Sequence, residues 1–190
     1  ADILKELPEQ STILVDMIIG LPDRNHPSRE CDRLARKLLR PHGSRVFPAP
    51  PREALAAKDY PEACALARAA TGKAISKQCW HLFPKIRELD EISDPRIRES
   101  HPEVIFARLN GGPPIAASKK SREGRALRMD RLEAEFPHAR EHYEEALRLY
   151  PRKALARDDA IDALALCTAA RQPEKLETIT EDCGSPQIYY

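Results

Sequence analysis

The sequence has no hydrophobic run approaching the ~20 residues needed to cross a bilayer, and its N-terminus lacks the basic-then-apolar layout of a secretory signal. Both absences point to a soluble, cytoplasmic chain without a membrane partner. An excess of charge of one sign is also missing. Lys and Arg number 31 against 30 Asp and Glu, a net charge of +1, so no global field draws the chain onto nucleic acid and any such contact has to be a local patch. Cysteine is sparse and unpatterned: Cys31, Cys64, Cys79, Cys167 and Cys183 make an odd count with no C-x-x-C pair. That pattern argues against a disulfide framework or a zinc site and leaves the thiols as packing residues. Aromatic residues make up 5%, with no clear base-stacking platform among them, and Trp80 reads as core.

Proline is the residue in surplus, with 17 copies. They stand mostly at element boundaries, as in Leu7-Pro8, Leu21-Pro22 and Phe47-Pro48, where they act as punctuation. A length of 190 residues fits one domain spanning 1–190. The opening residues Asp2 to Leu7 look like the last turns of an amphipathic helix. Ser11 to Gly20 is a nearly continuous apolar run rich in β-branched residues, the pattern of a strand buried on both faces. Helical patterns follow at Ser28 to Leu39, with Ser28 as the cap, and at Pro51 to Ala70, as one helix or two interrupted at Tyr60-Pro61. Another spans Ser76 to Ile92, where Pro84 is expected to kink or break it. Arg96 to Ser100 suits a second strand, and His101-Pro102-Glu103 the start of a short helix. Further helices are expected at 125–135, 138–149 and 155–170, with a terminal strand at 186–190. Residues 24–94 then form a mostly helical insertion.

Two acidic features need a special reason. Asp16 interrupts the apolar strand, and a carboxylate there carries a desolvation cost that either a metal ion or backbone hydrogen bonds at the strand end must offset. The second is Asp158, Asp159 and Asp162 on a helix otherwise made of small and apolar residues. The spacings 159/162 and 158/162 put like charges on one face, where they repel unless a divalent cation lies between them. An acidic first turn complementing the helix dipole accounts for Asp158 and Asp159. Asp162 lies a turn further in.

The run Asp159 to Leu166, D-x-x-D-A-L-A-L, resembles the last helix of Holliday-junction resolvases and other ribonuclease-H-like nucleases. Several segments in order resemble the predicted ribonuclease-H-like nucleases grouped as domain of unknown function four-two-nine. These are Val15 to Pro22, Arg29 to Arg36, Ser44 to Pro51, Pro84 to Glu88, His101 to Phe106, Asn110-Gly111-Gly112 and Ser118 to Arg125. The resemblance covers almost the whole chain.

It implies an α/β fold with a ribonuclease-H-like mixed sheet, in which Asp16 matches the acidic position of a parallel strand and Asp159 with Asp162 match the closing helix. The antiparallel strands that open that fold, roughly 25 residues by ordinary strand lengths, have no counterpart here, and with them goes the central aspartate. The implied activity is two-metal hydrolysis of phosphodiester bonds in nucleic acid, with Mg²⁺ or Mn²⁺ held by Asp16, Asp158, Asp159 and Asp162. Glu103 is a further catalytic candidate, with His101 nearby as a proton carrier; helix capping is the plainer reading of both residues, and their place in the family-like motif favours function. Lys119, Lys120, Arg122 and Arg125 form the best local basic cluster for phosphate oxygens, and Arg45, Lys85 and Arg87 match family positions that could line the same cleft. The competing reading is an inactive module of the same fold that binds nucleic acid or a protein partner. A monomer and a homodimer are both compatible with the sequence.

Overall fold

The structure is a computed structural model that describes residues 3–182 and 184–190. Cys183 lies outside the described residues, as does the start of the expected N-terminal helix. The architecture is mixed α/β, with a two-stranded parallel sheet and eight α-helices among the described residues. Strand β1 (Ile13–Val15) pairs in parallel with β2 (Ile97–Glu99), in the register Ile13 to Ile97, Leu14 to Arg98 and Val15 to Glu99.

The apolar run 11–20 therefore yields a strand of three residues, not one spanning the run. Only Leu14 is buried, and Asp16 is exposed just past the strand end. The expectation of a strand covered on both faces fails because Met17, Ile18 and Leu21 turn away to pack against a separate apolar cluster. A C-terminal segment extends the sheet on its far side by single bridges, Ser100 to Tyr189 in parallel and Thr178 to Tyr189 antiparallel. That is less than the expected terminal strand. The Ser100 hydroxyl donates to the Tyr189 carbonyl at 2.7 Å and fixes the junction.

The helices follow the sequence pattern with shifted ends. Helix α1 (Ile3–Glu6) is short, and its terminal carbonyls are collected by one side chain: Arg96 donates to the carbonyls of Leu4, Leu7 and Pro8 at 2.9–3.1 Å. Helix α2 (Glu30–Leu38) begins after Arg29, not Ser28, and has no side-chain cap; Ser28 is exposed. Helix α3 (Tyr60–Thr71) is capped by Asp59, and α4 (Lys77–Glu91) by Ser76, whose hydroxyl accepts from the Cys79 N–H at 3.1 Å. Pro84 sits inside α4 without ending it. Helix α5 (Pro102–Leu109) starts where Pro102 predicts. Helices α6 (Arg122–Glu135), α7 (Ala139–Leu149) and α8 (Arg157–Ala170) complete the set.

Three apolar clusters hold these elements. The largest joins Leu14 of β1 to Phe106 of α5, Leu132 of α6, Ala139 of α7 and Ile161 of α8. A second joins α2 to α5 and the C-terminal segment through Cys31, Ala35, Val104, Ala107 and Ile188. The third lies within residues 54–86, around Phe83 and Ile86. Within 24–94, α2 thus packs against α5, whereas α3 and α4 share a core of their own. Cys31, Cys64 and Cys79 are buried as expected of packing thiols, but Cys167 is exposed on α8. Trp80 is half-buried and stacks at a tilt on Phe83, with ring centroids 4.9 Å apart. No described helix is long and apolar enough to cross a membrane.

Candidate functional site

The carboxyl ends of β1 and β2 open into a cleft of about 560 Å³. In open parallel sheets this is the place where a ligand is held, because the loops leaving adjacent strands diverge there. Asp16 enters from the end of β1, Glu99 from β2, His101 and Glu103 from the start of α5, Lys119 and Lys120 from the loop before α6, and Asp162 from α8. The loop after α2 adds Arg45 and Phe47.

Asp162 is the most perturbed of the sequence candidates that the cleft gathers. Burial pushes its carboxyl up to about 6; Lys119 opposes this, while Asp16 and Glu103 reinforce it. Lys119 forms an ion pair with Oδ2, and Oδ1 is buried without a hydrogen-bond partner among the described residues. For Lys119, burial works against its charge, but Asp162, with Asp158 and Glu103 behind it, outweighs the loss and raises the ammonium above its ordinary range. Asp16 is open to water at the cleft mouth, yet crowding by protein raises its carboxyl; His101 and Lys119 pull it down, and Asp159 and Glu103 push it up.

Glu103 is committed. It accepts from Arg128 at 2.9 and 3.0 Å and from Arg45 at 2.7 Å, and Arg128 is fully buried. A buried carboxylate with two guanidinium partners is a structural ion cluster, costly to break from one side. His101 is committed as well. Its Nδ1 accepts from the Glu103 N–H at 3.2 Å, which leaves the proton on Nε2, 3.3 Å from the Arg45 carbonyl. It caps α5, so a proton-carrying role would break that cap.

The remaining sequence candidates divide. Arg45 lines the cleft while donating to Glu103 and to the Ile115 carbonyl. Lys120 lines it and is exposed. Arg125 bonds to the carbonyls of Lys119 and Lys120 and so shapes the loop from below. Arg122 is exposed at the start of α6. Asp158 and Asp159 stay outside the cleft wall, as does Lys85, which is exposed on α4. Arg87 holds the Leu55 and Ala57 carbonyls and lies over the Phe83 ring, a clamp within the third cluster. Among the described residues no group of three or more His, Cys, Asp or Glu side chains is arranged to hold a metal ion. Of the expected acidic residues, Asp16 and Asp162 line the cleft, and Asp159 acts on Asp16 through its charge.

Sequence reasoning missed Glu99, Arg29 and Arg128. Glu99 is buried and accepts from the Ile19 N–H at 2.7 Å and from Arg29 at 2.6 Å. Burial outweighs the guanidinium and lifts its carboxyl to about 7. Arg29 in turn is raised: burial opposes its charge, but Glu99, Asp32 and Cys31 outweigh that. A signal existed for Glu99, an acidic residue at the end of the second strand just as Asp16 follows the first. Arg128 could have been found from its place on one face of α6 with Gly124 and Leu132.

The loop that carries Lys119 is held by a close approach. A Cβ at Gly124 would lie 2.1 Å from the Ser118 carbonyl oxygen, so only glycine lets α6 start so near that backbone.

Comparison with known proteins adds one finding. No curated protein and no solved structure matches the chain. Residues 1–183 match the family described as Protein of unknown function (DUF429), and the chain belongs to that family.

Proposed function

We propose that this cleft is the active site of a divalent-cation-dependent phosphodiesterase acting on nucleic acid, on a ribonuclease-H-like core. The observation that carries the reading is the meeting of Asp16 and Asp162 in one cleft at the strand ends, with Asp162 Oδ1 buried and without a hydrogen-bond partner among the described residues. Hard oxygen donors suit Mg²⁺ or Mn²⁺. Magnesium commonly takes one or two protein carboxylates and completes its shell with water and substrate phosphate oxygens, so this pair is an adequate donor set for one ion. A two-ion arrangement needs a further carboxylate, and Glu103 is already held by two arginines.

The carboxylates of the cleft are mostly paired already: Glu99 and Asp32 with Arg29, Glu103 with Arg45 and Arg128, and Asp162 with Lys119. Asp16, exposed at the mouth, is the carboxylate that an added cation would meet first. When bound, such an ion would polarise a phosphoryl oxygen and make the attacking water more acidic. The chain's own part is positioning: Lys119 and Lys120 face the phosphate oxygens, and Asp162 is kept ionised at neutral pH by Lys119. The test is cleavage of branched, single-stranded and hybrid substrates with Mn²⁺. Asp16→Asn is expected to lower the rate by about a hundredfold; equal cleavage by both proteins removes the reading.

A second reading is a binding module without catalysis. The Lys119–Asp162 ion pair favours it, because a tethered ammonium already neutralises the buried carboxylate of Asp162. Calorimetric titration with Mn²⁺ separates the two, since the module gives no binding heat.

A further inference from the structure

Phe47 is one of the few large apolar side chains left exposed, at 42%, and it lines the same cleft as the acidic pair. Its loop is unusually fixed. Val46 before it is buried, and the Val46 carbonyl accepts from Arg36 at 3.0 Å. Beyond it the Ala49 N–H donates to Asp32 at 3.3 Å, Pro50 is fully buried, and Pro48, Pro50 and Pro51 restrict the backbone. An exposed ring on a rigid support is preorganised to be covered by a ligand, because little freedom remains to be lost on binding. Met17, Ile18 and Leu82 also line the cleft, so apolar side chains stand among its charged ones.

We propose that Phe47 marks a base subsite, and that the cleft takes single-stranded nucleic acid with one unpaired base stacked on Phe47 and the adjoining phosphate directed to Lys119 and Lys120. The proposal rests on the nucleic-acid reading of the cleft and adds the strandedness of the substrate. A ring can stack on an aromatic side chain only through an open face, and in a duplex both faces of a base are covered by its neighbours. A cleft of about 560 Å³ has the size of a pocket for a ligand of one or two nucleotide units. The alternation of an aromatic platform with basic side chains is the arrangement by which single strands are gripped without regard to sequence.

The test uses a short phosphorothioate-linked oligonucleotide, which resists cleavage, carrying a fluorescent adenine analogue, with Mn²⁺ present throughout. Binding is read by anisotropy and stacking by the emission of the analogue. The wild type is expected to change that emission and to bind the single strand about tenfold more tightly than the matching duplex; Phe47→Ala loses about tenfold in single-strand affinity, and Phe47→Trp retains it. Because Phe47 is exposed, thermal unfolding of Phe47→Ala should match wild type, which separates a lost platform from a misfolded loop. Unchanged single-strand affinity in Phe47→Ala, or equal affinity for duplex, overturns the base subsite even when Mn²⁺-dependent cleavage is present. Absence of cleavage together with a Phe47-dependent preference for single strands removes the phosphodiesterase reading and leaves the subsite standing.

Discussion

The layer formed by α3 and α4 and the side of the molecule that surrounds the cleft are held together by different forces. Between residues 54 and 86 every member of the buried cluster is apolar, from Ala54 to Ile86. The buried charged residues Arg29, Asp32, Glu99, Glu103, Arg128 and Asp162 all lie outside that stretch. Apolar burial is cheap and forgiving, whereas each buried charge carries a desolvation cost that only well-placed partners offset. The lesson is that the cleft side gives up stability to hold a set of charges in fixed places, a cost that the apolar layer does not carry.

Substitutions on the two sides should fail for different reasons. Phe83→Ala leaves a cavity in the α3–α4 layer and is expected to cost about 3–5 kcal/mol in urea denaturation, with no dependence on salt. Arg128→Met is expected to cost a similar amount, about 3–5 kcal/mol, because Glu103 is left buried with Arg45 alone. The double change Arg128→Met with Glu103→Gln separates the mechanisms. Most of the loss should return when the stranded charge is also removed, whereas no such partner change rescues Phe83→Ala. A double variant as unstable as Arg128→Met would erase the contrast between the two sides.

A smaller effect sharpens it through pH. The carboxyls of Glu99 and Asp162 are raised to about 7 and about 6 from ordinary values of 4.5 and 3.8. Both groups hold a proton more tightly in the folded chain than in the unfolded one. Their contribution is therefore complete below the ordinary carboxylate range and is lost as pH rises through 6 and 7. Against wild type, Glu99→Gln should gain on the order of 2 kcal/mol between pH 4 and pH 7.5, read as the difference between urea midpoints. A flat difference would show that Arg29 dominates Glu99 after all. The smallest effect belongs to the apolar layer: Ser76→Ala removes the α4 cap and should cost about 1 kcal/mol at any pH.

What could be read from the sequence was what local pattern controls. Helices α5 and α8 are legible in Pro102 and in the acidic first turn at Asp158 and Asp159, because those signals act within a turn of the residue that carries them. The length of β1 was not legible, since Met17 and Ile18 are as apolar as Leu14 and only the location of their packing partners decides where the strand stops. Asp16 and Asp162, which both line the cleft, drew notice in the sequence because an acidic residue in an apolar setting is conspicuous. Arg29 and Arg128 were not, because an arginine near a helix start or within a helix looks like surface until its carboxylate partner, far away in sequence, is placed beside it. Phe47 was passed over for the opposite reason: exposure is what makes it useful, and exposure is not written in residue type.

Gly124 is where these contributions converge. In most helices an alanine in place of glycine adds up to about 1 kcal/mol of stability, but here the added methyl has to displace the Ser118 backbone, one residue before the lysine that faces Asp162. The missing side chain thus works as a spacer of zero thickness. It offers a way to retune the acidic pair by moving its counter-charge, with every ionisable group in the cleft left chemically intact.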